Sequence, residues 1–178
     1  MDMKEFKTAR MDKQTMIITI IVLFFLILFP ISSFFFYPPK PVISITSIIL
    51  MYGAIIIAYC FIPRRIAVSD SQILIKNVFG SAIININEIE SVERWDKVGF
   101  NLRTFGIGGL FGYFGYFNGK DSWYVTNIEK KVQIALKSGK KYILSPENPE
   151  EFIHTIQQRS IENAPSEFSI FYICNSKF

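Results

Sequence analysis

Side chains able to do chemistry are few and scattered in this chain. His154 is the only histidine, and no Ser or Cys stands near it in sequence to form a base–nucleophile pair. It falls beside the apolar stripe of a predicted helix, where a surface position is the expected role. Glu88, Glu90 and Glu93 could place two carboxylates on one strand face, as acid–base hydrolysis requires. A solvated edge accounts for them equally, and no His or Cys joins them as a metal set. Cys60 and Cys174, 114 positions apart, make neither a disulfide framework nor a zinc site. No catalytic, metal or cofactor site is assigned, and an enzyme acting on a membrane-derived substrate stands only as the last alternative.

The most unusual stretch runs from Gly99 to Gly119. It holds seven of the ten glycines, interleaved with Phe100, Phe105, Phe111, Phe114 and Phe117. Gly106, Gly109, Gly112 and Gly115 recur every third residue, but a collagen repeat would need prolines and length. Gly106-x-Gly108 is followed by Phe111 where a dinucleotide fingerprint needs its third glycine. What remains is backbone freedom beside large aromatic surfaces. Two main readings stay open. The stretch is a loop that inserts aromatics into the membrane interface or a neighbouring subunit, with Arg103 and Lys120 at its flanks near lipid phosphates, or it is a bulged, twisted strand pair whose phenylalanines form the core. A small-molecule pocket is a third. The candidate interaction loop comprises Arg103, Phe105, Gly106, Gly108, Gly109, Phe111, Gly112, Tyr113, Phe114, Gly115 and Lys120.

These residues must be positioned by a chain whose composition is that of a membrane protein. Of 178 residues half are hydrophobic and 19% charged, below the roughly 25% usual in soluble proteins. Met16 to Tyr37 is an uncharged run of 22 residues, sixteen of them Ile, Leu, Phe or Val, long enough to cross a core of roughly 30 Å. Val42 to Ile62 is a second uncharged run, of 21 residues, diluted by Ser44, Thr46, Ser47 and Gly53. Pro38-Pro39-Lys40-Pro41 between them reads as a tight turn. A cleaved signal peptide is disfavoured, since its apolar region is usually only about 7 to 15 residues. The topology-determining charges are Lys4, Lys7, Arg10 and Lys13 before the first run and Arg64 and Arg65 after the second, against Lys40 alone between them. By the positive-inside rule both termini are cytoplasmic.

The expected organisation is an N-terminal tail at 1–15, spans at 16–37 and 42–62, a cytoplasmic domain at 64–160 and a C-terminal tail at 161–178. Residues 64 to 178 carry 14 Lys and Arg against 12 Asp and Glu, so no basic nucleic-acid footprint exists. Lys130-Lys131 and Lys140-Lys141 read as solvated strand edges. Val132, Ile134 and Leu136 alternate up to a Ser138-Gly139 turn, and Lys141 to Leu144 returns as a hairpin. Period-two patterns at Ile66–Val68, Ile73–Ile75, Ala82–Ile86 and Trp123–Asn127, with a further strand of unassigned face at Val92–Trp95, add short antiparallel strands, about seven in all. In SPENPEEFIHTIQQRSI, Asn148 can cap, Pro149 suits the first helical position and Glu151 the capping box, predicting a helix from Pro149 to Arg159 with Phe152, Ile153 and Ile156 inward. A membrane α-helical hairpin followed by a mainly-β, partly open barrel capped by a C-terminal helix results.

Two apolar runs before this strand–helix order, with RTFGIGGLFGYFGYFNG before a strand and ILSPENPEEF entering the helix, resemble the bacterial membrane-attached PH-like (pleckstrin-homology-like) domain family over Ile66 to Gln158. The resemblance implies a PH-like barrel and a non-enzymatic role, and it supplies no ligand. Relative to lipid-binding eukaryotic PH domains, the first turn, Ser69-Asp70-Ser71-Gln72, is acidic where those carry Lys and Arg, which argues against phosphoinositide recognition. The terminal helix lacks their tryptophan, with Phe152 in its packing place. The expected function is a binding or scaffolding module at the cytoplasmic face of a bacterial inner membrane, acting through protein partners or self-association. Lipid-headgroup sensing by the Gly/Phe loop is the alternative.

Overall fold

The computed structural model describes residues 3–36, 41–95 and 102–163. The Lys40 turn, Gly99, Phe100, Cys174 and the C-terminal tail beyond 163 lie outside the described residues. Two apolar helices lie near the N-terminus, α1 (Lys13–Phe36) and α2 (Pro41–Cys60), packed on each other. Hydrophobic residues surround α1 rather than forming one stripe, so Phe24, Phe25 and Phe29 are all exposed on the isolated protein. Over Lys13–Ser32, α1 is long and apolar enough to cross a membrane. The described apolar stretch of α2, Ile45–Cys60, is shorter.

The remaining elements form two sheets. The first has the order β1-β2-β3-β4, all antiparallel, from β1 (Lys4–Phe6), β2 (Arg65–Val68), β3 (Gln72–Lys76) and β4 (Ser81–Asn85). The second has the order β5-β9-β10-β8-β7-β6, from β5 (Ile89–Arg94), β6 (Arg103–Gly108), β7 (Tyr113–Phe117), β8 (Asp121–Val125), β9 (Val132–Leu136) and β10 (Lys141–Leu144). Ten strands stand among the described residues where about seven were expected, and one pair is parallel: Tyr142 of β10 faces Ser122 of β8. The parallel pair arises because residues 126–131 carry the chain from β8 past the site of β10 to start β9, and the Ser138-Gly139 turn then folds β10 back between them. Ile86 begins a 3₁₀ turn (Ile86–Glu88) rather than continuing β4, yet stays buried.

Two of the extra strands come from the Gly/Phe stretch, which is the bulged strand pair of the two main readings and not the inserting loop. Gly106 pairs with Gly115 at a crossing so close that a Cβ on either would strike the partner strand's carbonyl, at Phe114 or Phe105. The third, β1, comes from the expected tail. Phe6 pairs with Ile66, after which the Glu147 amide donates to the Lys7 carbonyl and the Ala9 amide to the Ser145 carbonyl, both at 2.8 Å. The N-terminal segment is thus built into the β domain.

The core lies between the sheets under α3 (Pro149–Glu162), which runs one turn's fraction past the expected Arg159. Pro149 occupies the start as predicted, but Asn148 makes no side-chain cap; its amide instead donates to the Glu151 carboxylate at 3.2 Å. Phe152 is fully buried, edge-on to Phe6 at 5.1 Å, with Ile156, Ile66 and Leu144 around it. Phe152→Ala is expected to cost about 3–5 kcal/mol, measurable as a lowered denaturation midpoint of the full chain in detergent.

Candidate functional site at the junction of helices and sheets

The base of α1 is where helix, N-terminal segment and β domain meet. The first amides of a helix lack partners within it, and Asp12 supplies them. Its carboxylate accepts from the Thr15 amide at 3.0 Å and the Thr15 hydroxyl at 2.7 Å, and it also accepts from the Ile128 amide at 3.2 Å. One buried side chain therefore caps α1 and fastens it to the segment after β8. Burial alone would raise the Asp12 pKa; the hydrogen bonds from Thr15 and Ile128 outweigh it and hold the carboxyl below its ordinary value. The half-buried Tyr113 hydroxyl is pushed up by burial and by the Asp12 charge. Beside it, Thr126 donates to the Ala9 carbonyl at 2.6 Å, so the Ser145 hydroxyl must donate to Thr126, 3.0 Å away. Asn127 holds the Arg10 carbonyl at 3.0 Å.

One turn further along α1, Thr19 receives the tip of the Gly/Phe hairpin. Its buried hydroxyl lies 2.8 Å from the Thr15 carbonyl and 3.2 Å from that of Gly109, sharing one hydrogen between them, and accepts from the Phe111 amide at 3.0 Å. Gly109 has φ +97°, and a Cβ there would press within 3.1 Å of Ile18 Cγ2, so only glycine lets the tip come this close. Phe111 is held at φ 61°, uncommon for a bulky residue, and its ring meets Tyr59 of α2 at 5.8 Å. Arg64 in turn lies over Tyr59 at 5.9 Å.

The candidate residues are thus divided. Gly109, Phe111, Gly112 and Tyr113 gather at the docked tip, and Phe114 is buried. Phe105 is 68% exposed opposite Tyr116 in β7. Arg103 is exposed, with its guanidinium lying back against Gly108. Lys120 does not flank the tip: it sits in the β7–β8 turn at the other end of a five-residue strand, about 16 Å away. There it lines an open groove of about 520 Å³ with Tyr116, Gly119, Ser138, Gly139 and Lys140. Among the expected topology charges, Lys4 pairs with Glu151 at 2.9 Å and Arg65 with Glu5 at 3.2 Å, while Lys7, Arg10, Lys13 and Arg64 are exposed.

Other expectations are revised locally. Lys131 is buried against the Trp123 ring, and Lys130 pairs with Glu147 at 3.1 Å, so that doublet is engaged rather than solvated. The Asp70 carboxylate of the first acidic turn pairs with Arg159 of α3 at 2.6 Å. His154 is exposed on α3, and Glu88, Glu90 and Glu93 are exposed. Among the described residues no three His, Cys, Asp or Glu side chains are grouped to hold a metal.

Residues 64–160, more than half of the chain, match the family model described as a bacterial PH domain. The chain belongs to the bacterial PH domain family. Neither the curated proteins nor the solved structures give a match. PH-like domains are generally binding modules without catalysis. In this bacterial PH domain the match begins at Arg64, so β1 and Asp12, the N-terminal side of the junction, lie before it. Both were missed in sequence, although Asp12-x-x-Thr15 ahead of an apolar run is a legible helix-start signal.

Asp12→Ala is expected to loosen the junction by about 2–4 kcal/mol, from the lost cap and the stranded Ile128 amide, and to accelerate hydrogen exchange at Ile128. Because the folded pKa is lowered, the Asp12 contribution is complete above the ordinary carboxyl value, about 3.9, and is lost as pH falls from there through the folded value. Acid titration should show that loss in the native chain and not in the Ala variant.

Proposed function

We propose that this bacterial PH domain is a membrane-anchored binding or scaffolding module, held at the cytoplasmic face of a bacterial inner membrane by a two-span hairpin of α1 and α2. The observation that carries the proposal is the pairing of β1 with β2, Lys4 opposite Val68 and Phe6 opposite Ile66. One strand precedes α1 and the other follows α2, so the chain leaves and returns on one side of any membrane that α1 crosses. A crossing by α1 calls for a return before Arg64, and α2 is the segment available to make it. Lys4, Lys7, Arg10, Lys13, Arg64 and Arg65 then share that side against Lys40, which favours the cytoplasm.

The partner in this reading is a protein or a second copy of the chain. The docked hairpin tip is occupied by Thr19 and Tyr59, which counts against free insertion of that tip as a lipid sensor. Within the hairpin, Phe105 and Tyr116 are the aromatics left most exposed for a partner. The test is labelling of single cysteines, Lys40→Cys and Lys140→Cys, in intact cells and in a background lacking Cys60 and Cys174. An impermeant reagent is expected to reach position 40 and not 140. Labelling at 140 alone would invert the topology and send the domain, with its partners, to the envelope side.

A further inference from the structure

The last carbonyls of a helix have no partner within it. At the end of α2 the Cys60 carbonyl is met by the Val78 amide at 3.3 Å, from the turn between β3 and β4. That turn is locked on itself: the Asn77 amide donates to the Gly80 carbonyl at 3.0 Å, and the Gly80 amide to Asn77 Oδ1 at 2.9 Å. A surface turn so constrained ordinarily carries polar residues, yet its corner is Val78 and Phe79, 49% and 60% exposed. The Phe79 ring lies 5.2 Å from that of Phe61, the first residue after α2. At the root of the turn stand two exposed cations, Arg64 and Lys76, joined by an Arg64 amide to Lys76 carbonyl hydrogen bond of 2.8 Å.

We propose that the β3–β4 turn is a lipid wedge: Val78 and Phe79 enter the boundary between headgroups and acyl chains of the bilayer that α2 leaves, with Arg64 and Lys76 at the level of the phosphates. Continuity decides the occupant. The turn is hydrogen-bonded to the last residue of α2 and in tilted ring contact with the first residue beyond it, so its apolar corner lies where the helix ends, and with α2 as a span the surface there is lipid. Aromatic side chains favour that boundary and cations favour the anionic surface above it. The wedge is separate from the Gly/Phe hairpin, and it rests on the reading of α1 and α2 as spans.

The test uses the full chain in nanodiscs of phosphatidylcholine and phosphatidylglycerol, without Cys60 and Cys174. Spin labels are placed singly through Phe79→Cys, Phe25→Cys in α1 and Ser138→Cys in the β9–β10 turn, and depth is read from collisions with oxygen and a nickel chelate. The oxygen-to-chelate ratio at 79 is expected several-fold above that at 138 and below that at 25. A label at 79 as open to the chelate as that at 138, with 25 still in lipid, overturns the wedge and leaves the anchor standing. A label at 25 in water overturns both. Because Phe79→Cys removes the apolar ring, a second pair reads its role: with the label at Val78→Cys, adding Phe79→Asp should raise chelate access several-fold. No change at 78 would overturn the assignment of Phe79.

Discussion

The pairing of β1 with β2 constrains everything else in this protein. Three residues from before the helices complete a sheet whose other strands come after them, and Phe6 covers Phe152 at the center of the core. The β domain is therefore discontinuous in sequence, with α1 and α2 inserted between its first and second strands. A piece beginning at Arg64 would retain the residues that match the family and lose β1, the lid over Phe152, and the Ala9 and Arg10 carbonyls that satisfy Thr126 and Asn127. Unpaired buried polar groups would be left behind.

The second constraint is polar. Helices are fastened to sheets in most small domains by apolar packing, but α1 meets this domain through Asp12 and Thr19, whose bonds run to Ile128, Gly109 and Phe111. Charged and neutral hydrogen bonds shielded from water are directional, so this junction sets an angle as well as a distance. Glycine at 109 and the Gly106–Gly115 crossing serve the same end, bringing the hairpin close enough for those bonds to form.

Elements that obey one period were legible in the sequence. The β9–β10 hairpin, the strands through Ile66, Ile73 and Ile84, and α3 with its inward Phe152 all follow from alternation or from a helical stripe. The β6–β7 hairpin was legible as one of two open readings, the bulged strand pair; what the sequence left undecided was its faces, because its phenylalanines recur every third residue while a strand alternates every second, so that Phe114 and Phe117 face opposite sides of β7 and Phe111 falls in the turn. Flanking in sequence did not become flanking in space for Lys120, since a strand of β7 intervenes between it and the tip. Strand β1, Lys-Glu-Phe, is too short and too charged to show any period, and only its partner reveals it. Lys131 reads as a surface charge until the Trp123 ring is found beneath its ammonium.

The interruption of the domain also carries a cost in chain entropy. Joining Phe6 to Ile66 in water would mean closing a loop of about sixty residues, an entropic cost on the order of 3–4 kcal/mol, for a strand of only three. In the anchored arrangement proposed above, the contact between α1 and α2 would draw the ends of that loop together and lower this cost. The cover over Phe152 is thus a strand of three residues whose pairing depends on both helices, the one after it and the one before its partner, being in place.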